Sequence, residues 1–143
     1  MASKLYGNFL LKALNKEVDF DSDTIKVALL TSSYTPNQDT HDYFNDVSAN
    51  EVSGTGYTAG GITLASKTAT YDSGTNVIVL DAADVTWSSS TITARYAVVY
   101  GSTGTASTSP LIGYVDFGSD QSSTNGNFTI TWDSTGIVRI TVA

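Results

Sequence analysis

The chain has 143 residues, of which 41% are apolar and only 15% charged, and its formal net charge is -7 at pH 7. This length suits one ordinary domain, and the negative charge argues against direct nucleic-acid binding because a phosphate backbone would repel it. The absence of cysteine excludes disulfide scaffolds, thiol nucleophiles and thiolate metal sites.

The N-terminal residues 1–20 are predicted to form a helical arm. Ser3 is placed to cap the first turn of this helix. Polar residues interrupt the apolar stretch, so it matches neither a secretory signal nor a membrane span. We expect a soluble protein made in the cytoplasm of its producing cell, whose helix docks on its own sheet or on a neighbouring subunit. Five apolar residues recur at helical spacing: Leu5, Phe9, Leu10, Ala13 and Leu14.

Three alternating aspartates follow the helix, at Asp19, Asp21 and Asp23. An EF-hand loop would need glycine at its sixth position and glutamate at its twelfth, where this chain has Thr24 and Leu30. That motif is therefore absent, and a solvated turn between helix and strand is the preferred interpretation. A looser calcium site completed by distant carboxylates stays open.

From residue 24 onward the apolar pattern changes to a period of two, which indicates β-strands. In TIKVALL, Ala28 and Leu30 alternate with apolar neighbours, so burial on both faces is expected. In TITARYAVVYG, the same period places Ile92, Ala94, Tyr96, Val98 and Tyr100 on one side. Further strands are predicted in GITLASKTAT, in NVIVLDAADVTW with a bend near residues 81–84, in PLIGYVDFG, and in a final hairpin of FTITW and IVRITV.

These strands are separated by Gly, Ser and Asp turns, with no helical segment between them. A parallel α/β sheet is therefore excluded, because its strands need crossover helices. The pattern predicts a mainly β fold, an antiparallel β-sandwich or jelly-roll-like domain over residues 21–143 with one N-terminal α-helix.

The segment SGTGYTAGG raises the question of a phosphate-binding loop. Gly54, Gly56 and Gly60 have the spacing G-x-G-x-x-x-G, whereas a dinucleotide fingerprint needs G-x-G-x-x-G between a buried strand and a helix. A Walker loop would need Gly-Lys-Ser/Thr, which this segment lacks. The glycines are therefore interpreted as a turn or bulge before the next strand.

No constellation of catalytic residues is visible in the sequence. His41 is the only histidine, and no G-x-S-x-G elbow accompanies it. Beside it, Tyr43 and Phe44 either pack in the core or anchor a partner. We predict no catalytic, cofactor-binding or metal-binding residues and a protein that is not an enzyme. Surface tyrosines keep a receptor- or glycan-binding module open as an alternative.

Four stretches, in the order of the chain, carry a resemblance to a known family: DTIKVALLTSSYTPNQDTHDYFNDV, EVSGTGYTAGGITLASKT, DVTWSSSTITARYAVVYGSTGTASTSPLIGYVDFG and GNFTITWDSTGIVRITV. With the N-terminal helical segment they cover nearly the full length. They resemble small structural proteins of tailed-bacteriophage virions. None of the four is a mechanistic motif, so the resemblance implies the setting more firmly than the position in the particle.

Within that setting, the resemblance implies a non-enzymatic capsid decoration (cement) protein on the capsid surface of the virion. Such proteins bind the assembled major capsid protein shell, stabilise it and often form homo-trimers, so a homo-oligomer is expected. A head–tail junction or tail protein of the same virion is the nearest alternative, and a small hydrolase is the last. We expect the partner interface to include Leu5, Tyr6, Phe9, Tyr43 and Phe44.

Overall fold

The computed structural model describes residues 2–143. Strands make up 47% of the chain and helices 11%, and the strands form two antiparallel sheets accompanied by one short helix. The prediction of a mainly β, sandwich-like domain is therefore confirmed. The strands and the helix are β1 (Ala2–Leu5), α1 (Phe9–Leu14), β2 (Ile25–Leu30), β3 (Ile62–Thr63), β4 (Thr68–Asp72), β5 (Val77–Asp81), β6 (Val85–Gly101), β7 (Leu111–Ile130) and β8 (Val138–Thr141).

The larger sheet has the strand order β1-β7-β6-β2-β3, and the smaller sheet has the order β4-β5-β8. Apolar side chains of both sheets meet in a main core, which includes Val27 and Leu29 of β2. Ala28 and Leu30, which alternate with them, belong to a second cluster on the opposite face of the larger sheet, with side chains from residues 31–52. All four side chains have no exposed surface, so the predicted burial of β2 on both faces is confirmed.

The predicted facing of β6 is wrong. Ile92 and Ala94 belong to the main core, whereas Tyr96, Val98 and Tyr100 belong to the second cluster on the other face. A register shift between Ala94 and Tyr96, in the pairing with β7, changes which residues alternate onto each face. A β-bulge of this kind leaves no mark on the apolar pattern, so a period of two does not reveal it.

The N-terminal segment begins with a strand and not with the predicted helix. β1 pairs antiparallel with residues 113–116 of β7, so Ser3 lies in the larger sheet and caps no helix. The helix begins at Phe9 with Asn8 as its N-cap, and it buries Phe9 and Lys12. Pairing with β7 satisfies backbone groups that a helix start would leave without partners. The predicted division at residue 20 stays a prediction.

The last two strands do not form the predicted hairpin. LIGYVDFG and FTI belong to one strand, β7, which runs for 20 residues, and β8 pairs with β5 in the other sheet. Trp132 Nε1 donates a hydrogen bond to the Ala83 carbonyl at 3.1 Å, and the Ile137 N–H donates to the Leu80 carbonyl at 2.8 Å. These two bonds fix the segment between the two strands against the end of β5, where the chain passes to the smaller sheet.

The pair formed by β6 and β7 extends beyond the strands that flank it. β2 pairs with β6 only from Tyr96 to Gly101, and β1 pairs with β7 only as far as Asp116. The remaining stretch, residues 85–95 of β6 together with residues 117–130 of β7, is called the ribbon below. Among the described residues no named strand pairs with this stretch on either outer side, and register shifts between Trp87 and Ser90 and between Ser90 and Ile92 interrupt its own pairing.

The two faces of the ribbon differ in chemistry. The face opposite the core carries exposed hydroxyl groups that bond across the strands, Thr86 with Thr129 at 2.9 Å and Thr93 with Ser122 at 2.7 Å. The abundant threonines and serines of the sequence are used here as cross-strand pairs. The inner face contributes apolar side chains to the main core: Val85, Trp87, Ile92, Ala94, Phe128 and Ile130.

Candidate functional site

The glycine-rich segment forms the turn that the sequence predicts, and β3 begins directly after it. Its polar interior is filled by the chain itself: Glu51 Oε1 accepts hydrogen bonds from the Tyr57 hydroxyl and the Gly60 N–H, both at 2.6 Å. An amide that would face a phosphate in a binding loop therefore already bonds a carboxylate. Desolvation by burial is the main cause that raises the pKa of Tyr57 above its ordinary value.

The acidic segment after α1 is closed by internal hydrogen bonds. Asp19 Oδ1 accepts from the N–H groups of Asp21 and Ser22, and bonds from Ser22 hold the pKa of Asp19 below its ordinary value. The Lys67 ammonium donates to the backbone carbonyls of Phe20, Asp21 and Asp23. A cationic group thus already occupies the point where these carbonyls converge. Within residues 2–143, no three His, Cys, Asp or Glu side chains group together as a metal site would need.

The single histidine ends a chain of buried hydroxyl groups. The Tyr34 hydroxyl lies 2.8 Å from the Tyr6 hydroxyl and 3.0 Å from His41 Nδ1, which also accepts from the Asn37 N–H at 3.4 Å. Burial raises the pKa of Tyr34 to about 12. These bonds join the loop that carries His41 to the second cluster, and no serine among the described residues is hydrogen-bonded to the imidazole.

The five residues expected at a partner interface do not lie on one surface. Tyr6 and Phe44 belong to the second cluster, where Phe44 stacks on a tyrosine ring with 4.1 Å between centroids. Phe9 belongs to the main core, and Leu5 packs against it. Tyr43 is half-buried, and the Lys12 ammonium lies 3.9 Å from the centroid of its ring. In this conformation the chain itself covers most of their surface.

The apolar residues that α1 does expose are different ones. Leu10, Leu11 and Leu14 are exposed to 42%, 56% and 81%, and they are called the leucine face below. The apolar spacing assigns Leu10 and Leu14 to the same helix face as Phe9, but only Phe9 is buried. Leu11 is the residue from which this exposure could have been predicted. It widens the apolar stripe of α1 beyond what one core-facing side of a six-residue helix can bury.

A groove of about 630 Å³ lies beside the leucine face. It runs between α1 and the smaller sheet, and the acidic segment of residues 19–23 forms one of its walls. Its floor is apolar, so it offers space for side chains of another molecule next to the exposed leucines. The apolar residues that line it are Phe9, Leu10, Ala13, Val18, Phe20, Ala69, Ile78, Leu80 and Ile140.

Comparison of this chain with protein-family models, with curated proteins and with solved structures gave no match. No helix in the part of the chain that the structure describes is both long enough and apolar enough to cross a lipid bilayer. The function is therefore inferred from exposed side chains. On α1, the large apolar side chains exposed to solvent are those of the leucine face.

Proposed function

We propose that this chain is a non-enzymatic structural protein of a bacteriophage virion, and that it acts as a capsid decoration protein. The virion setting rests on the resemblance of the four sequence stretches. The mode of action rests on one observation: Leu10, Leu11 and Leu14 project from a helix whose other side is already buried. These leucines contribute little to the packing of their own chain, so they are available to anchor a partner.

The leucine face is suited to binding a large assembly. Burying one leucine side chain contributes roughly 1.5–3 kcal/mol, so three of them supply the apolar centre of a modest contact. A shell that displays many equivalent sites multiplies such a contact whenever the bound protomers are linked to each other. A protein that binds the assembled shell, and not its free subunits, stabilises the shell by mass action.

The copy number of the chain in purified virions tests the proposed location. A decoration protein covers the shell, so gel densitometry against the major capsid protein should give hundreds of copies per particle. A copy number that corresponds to a single ring would assign the chain to the head–tail junction or the tail. Absence of the chain from purified particles would contradict the virion setting altogether.

A binding assay with assembled shells tests the leucine face. Leu14→Asp places a charge at the most exposed leucine, and we expect it to reduce co-sedimentation with the shells at least tenfold, because a carboxylate must be desolvated in the contact. Val142→Asp is the matched control, since Val142 is an aliphatic side chain exposed to 45% outside α1. Equal binding by the two variants would contradict the assignment of this face.

A further inference from the structure

The groove beside the leucine face exists because α1 is too short to cover the smaller sheet. Its floor includes two cross-strand rows on one face of that sheet, Ala69 with Leu80 and Ile78 with Ile140. A helix of six residues rises roughly 9 Å, whereas a strand of five residues spans roughly 17 Å. Part of this apolar face therefore stays open next to Leu10, which lines the groove and belongs to the leucine face.

Three exposed aspartates, called the acidic rim below, line one side of the groove. Val18 and Phe20 are buried in the main core, and Asp19, Asp21 and Asp23 alternate with them and face solvent. The Asp23 N–H donates to the Asp19 carbonyl at 2.9 Å, and the Asp19 N–H donates to Asp23 Oδ2 at 2.8 Å. These bonds hold the segment in one conformation, so the carboxylates are already in place beside the apolar floor.

The groove stays negative after its lysines are counted. Lys16 is the one basic residue that lines it, against the three aspartates of the acidic rim. The Lys67 ammonium donates to backbone carbonyls of residues 20, 21 and 23, so it bonds no carboxylate of the rim. Among the described residues, no hydrogen bond or ion pair involves the Asp21 carboxylate. This carboxylate is therefore available to a basic group of another molecule.

We propose that the groove and the leucine face together bind one segment of the major capsid protein, in which apolar side chains stand beside a lysine or arginine. The apolar side chains cover the floor and Leu10, and the basic side chain pairs with the acidic rim. That the segment comes from the major capsid protein rests on the proposed function, whereas its chemistry rests on the groove alone.

Charge complementarity selects this occupant. The acidic rim repels an acidic segment, and a purely apolar segment would remove water from Asp21 without giving its carboxylate a partner. A second copy of the chain is disfavoured as well, because each copy has a net charge of -7. A segment that is both apolar and basic is the one that matches the floor and the rim at once.

Two short synthetic peptides test this chemistry with the full chain and without any virion component. Both carry the same leucines, one with interspersed lysines and the other with glutamates. Fluorescence anisotropy at low salt should show saturable binding of the leucine–lysine peptide and a dissociation constant at least about tenfold higher for the leucine–glutamate peptide. Leu14→Asp should weaken binding of the leucine–lysine peptide, whereas association by charge alone would become tighter in this variant.

Charge reversal at the rim tests the role of the carboxylates. Asp21→Lys should raise the dissociation constant of the leucine–lysine peptide about tenfold at low salt, and salt should reduce this difference. The matched control is Asp120→Lys, which changes the net charge equally at an exposed aspartate that does not line the groove, and its effect should stay within about threefold. Circular dichroism checks that both variants fold, and Asp21→Asn, with a smaller effect in the same direction, replaces a variant that does not.

The outcomes separate this recognition from the proposed function. Absence of binding by the leucine–lysine peptide, equal effects of Asp21→Lys and Asp120→Lys, or tighter binding by Leu14→Asp overturns it. Self-association of the chain that the peptide reverses would assign the groove to a second copy and also overturns it. A chain that binds the peptide as expected but does not co-sediment with assembled shells keeps the recognition chemistry and contradicts the capsid role.

Discussion

The β6 and β7 edges of the ribbon belong to the same strand pair but meet different surroundings. The glycine-rich segment closes the β6 edge with a backbone bridge at Thr91, whereas the β7 edge beyond Asp116 has no strand partner among the described residues. The difference shows what the glycines do. They let the backbone of the glycine-rich segment lie close against β6, where a nucleotide-binding loop would hold a phosphate.

The largest expected effect comes from disrupting the close approach of the glycine-rich segment to β6. Gly56 has a φ of 81° and lies against Ser90, so Gly56→Ala combines backbone strain with a steric clash. We expect it to lower the free energy of unfolding by about 3 kcal/mol, measured by chemical denaturation.

Gly104→Ala is the control for this substitution. Gly104 has a similar φ of 88°, but a side chain there would meet nothing within 4 Å. Its cost should be the backbone strain alone, about 1 kcal/mol. If the two alanine variants lose the same stability, contact between the glycine-rich segment and β6 does not matter and the β6 edge is not effectively covered.

A second substitution weakens the pairing between β6 and β7 inside the ribbon. The buried Ser90 hydroxyl lies 2.7 Å from the Ser123 hydroxyl and 3.0 Å from the carbonyls of Trp87 and Gly126. Ser90→Ala removes the hydroxyl that bonds to the Ser123 hydroxyl and to the Trp87 and Gly126 carbonyls. We expect a loss of about 2 kcal/mol in the free energy of unfolding, because these buried groups lose a hydrogen-bond partner.

The exposed cross-strand pair on the other face provides the comparison. Thr86→Ala removes one exposed hydroxyl that water replaces, so its effect should stay within about 0.5 kcal/mol. A loss of stability in Thr86→Ala equal to that in Ser90→Ala would mean that burial does not decide the value of these hydroxyl bonds.

The smallest expected effect concerns the ion pair between Arg95 and Asp116. Arg95 Nε donates to Asp116 Oδ1 at 2.7 Å, and this bond holds the pKa of Asp116 below its ordinary value. A lowered pKa in the folded state stabilises the fold above the ordinary pKa of 3.8, and this contribution is lost as the pH falls through the folded value.

Asp116→Asn isolates this contribution. Because both side chains are partly exposed, the variant should lose less than about 1 kcal/mol at neutral pH. The difference in melting temperature between the wild type and the variant should shrink as the pH falls below 3.8. A difference that stays constant across this range would show that the ion pair does not stabilise this corner.

The fold class could be predicted from the sequence because alternating apolar residues mark strands directly. The facing of β6 could not, since the register shift between Ala94 and Tyr96 depends on pairing with β7, more than 15 residues away in the chain. The length of β7 was also hidden, because Gly118 and the polar residues after it are typical of a turn, yet they form a bulge within one strand, with a φ of 83° at Gly118.

The expected interface residues show a related limit. Aromatic residues in a polar loop fit a core and a binding surface equally well, and only the tertiary structure shows that Phe44 stacks inside the second cluster. Exposure of Leu11 and Leu14 depends on how α1 is oriented on the sheets, which helical periodicity does not specify.

Hydrogen exchange tests most directly the central claim that the glycine-rich segment covers the β6 edge. The Thr91 amide, which donates to the Thr55 carbonyl, should exchange slowly in the wild type and much faster in Gly56→Ala, whereas Gly104→Ala should leave its exchange unchanged. Equal exchange of the Thr91 amide in the wild type and in Gly56→Ala would contradict this cover.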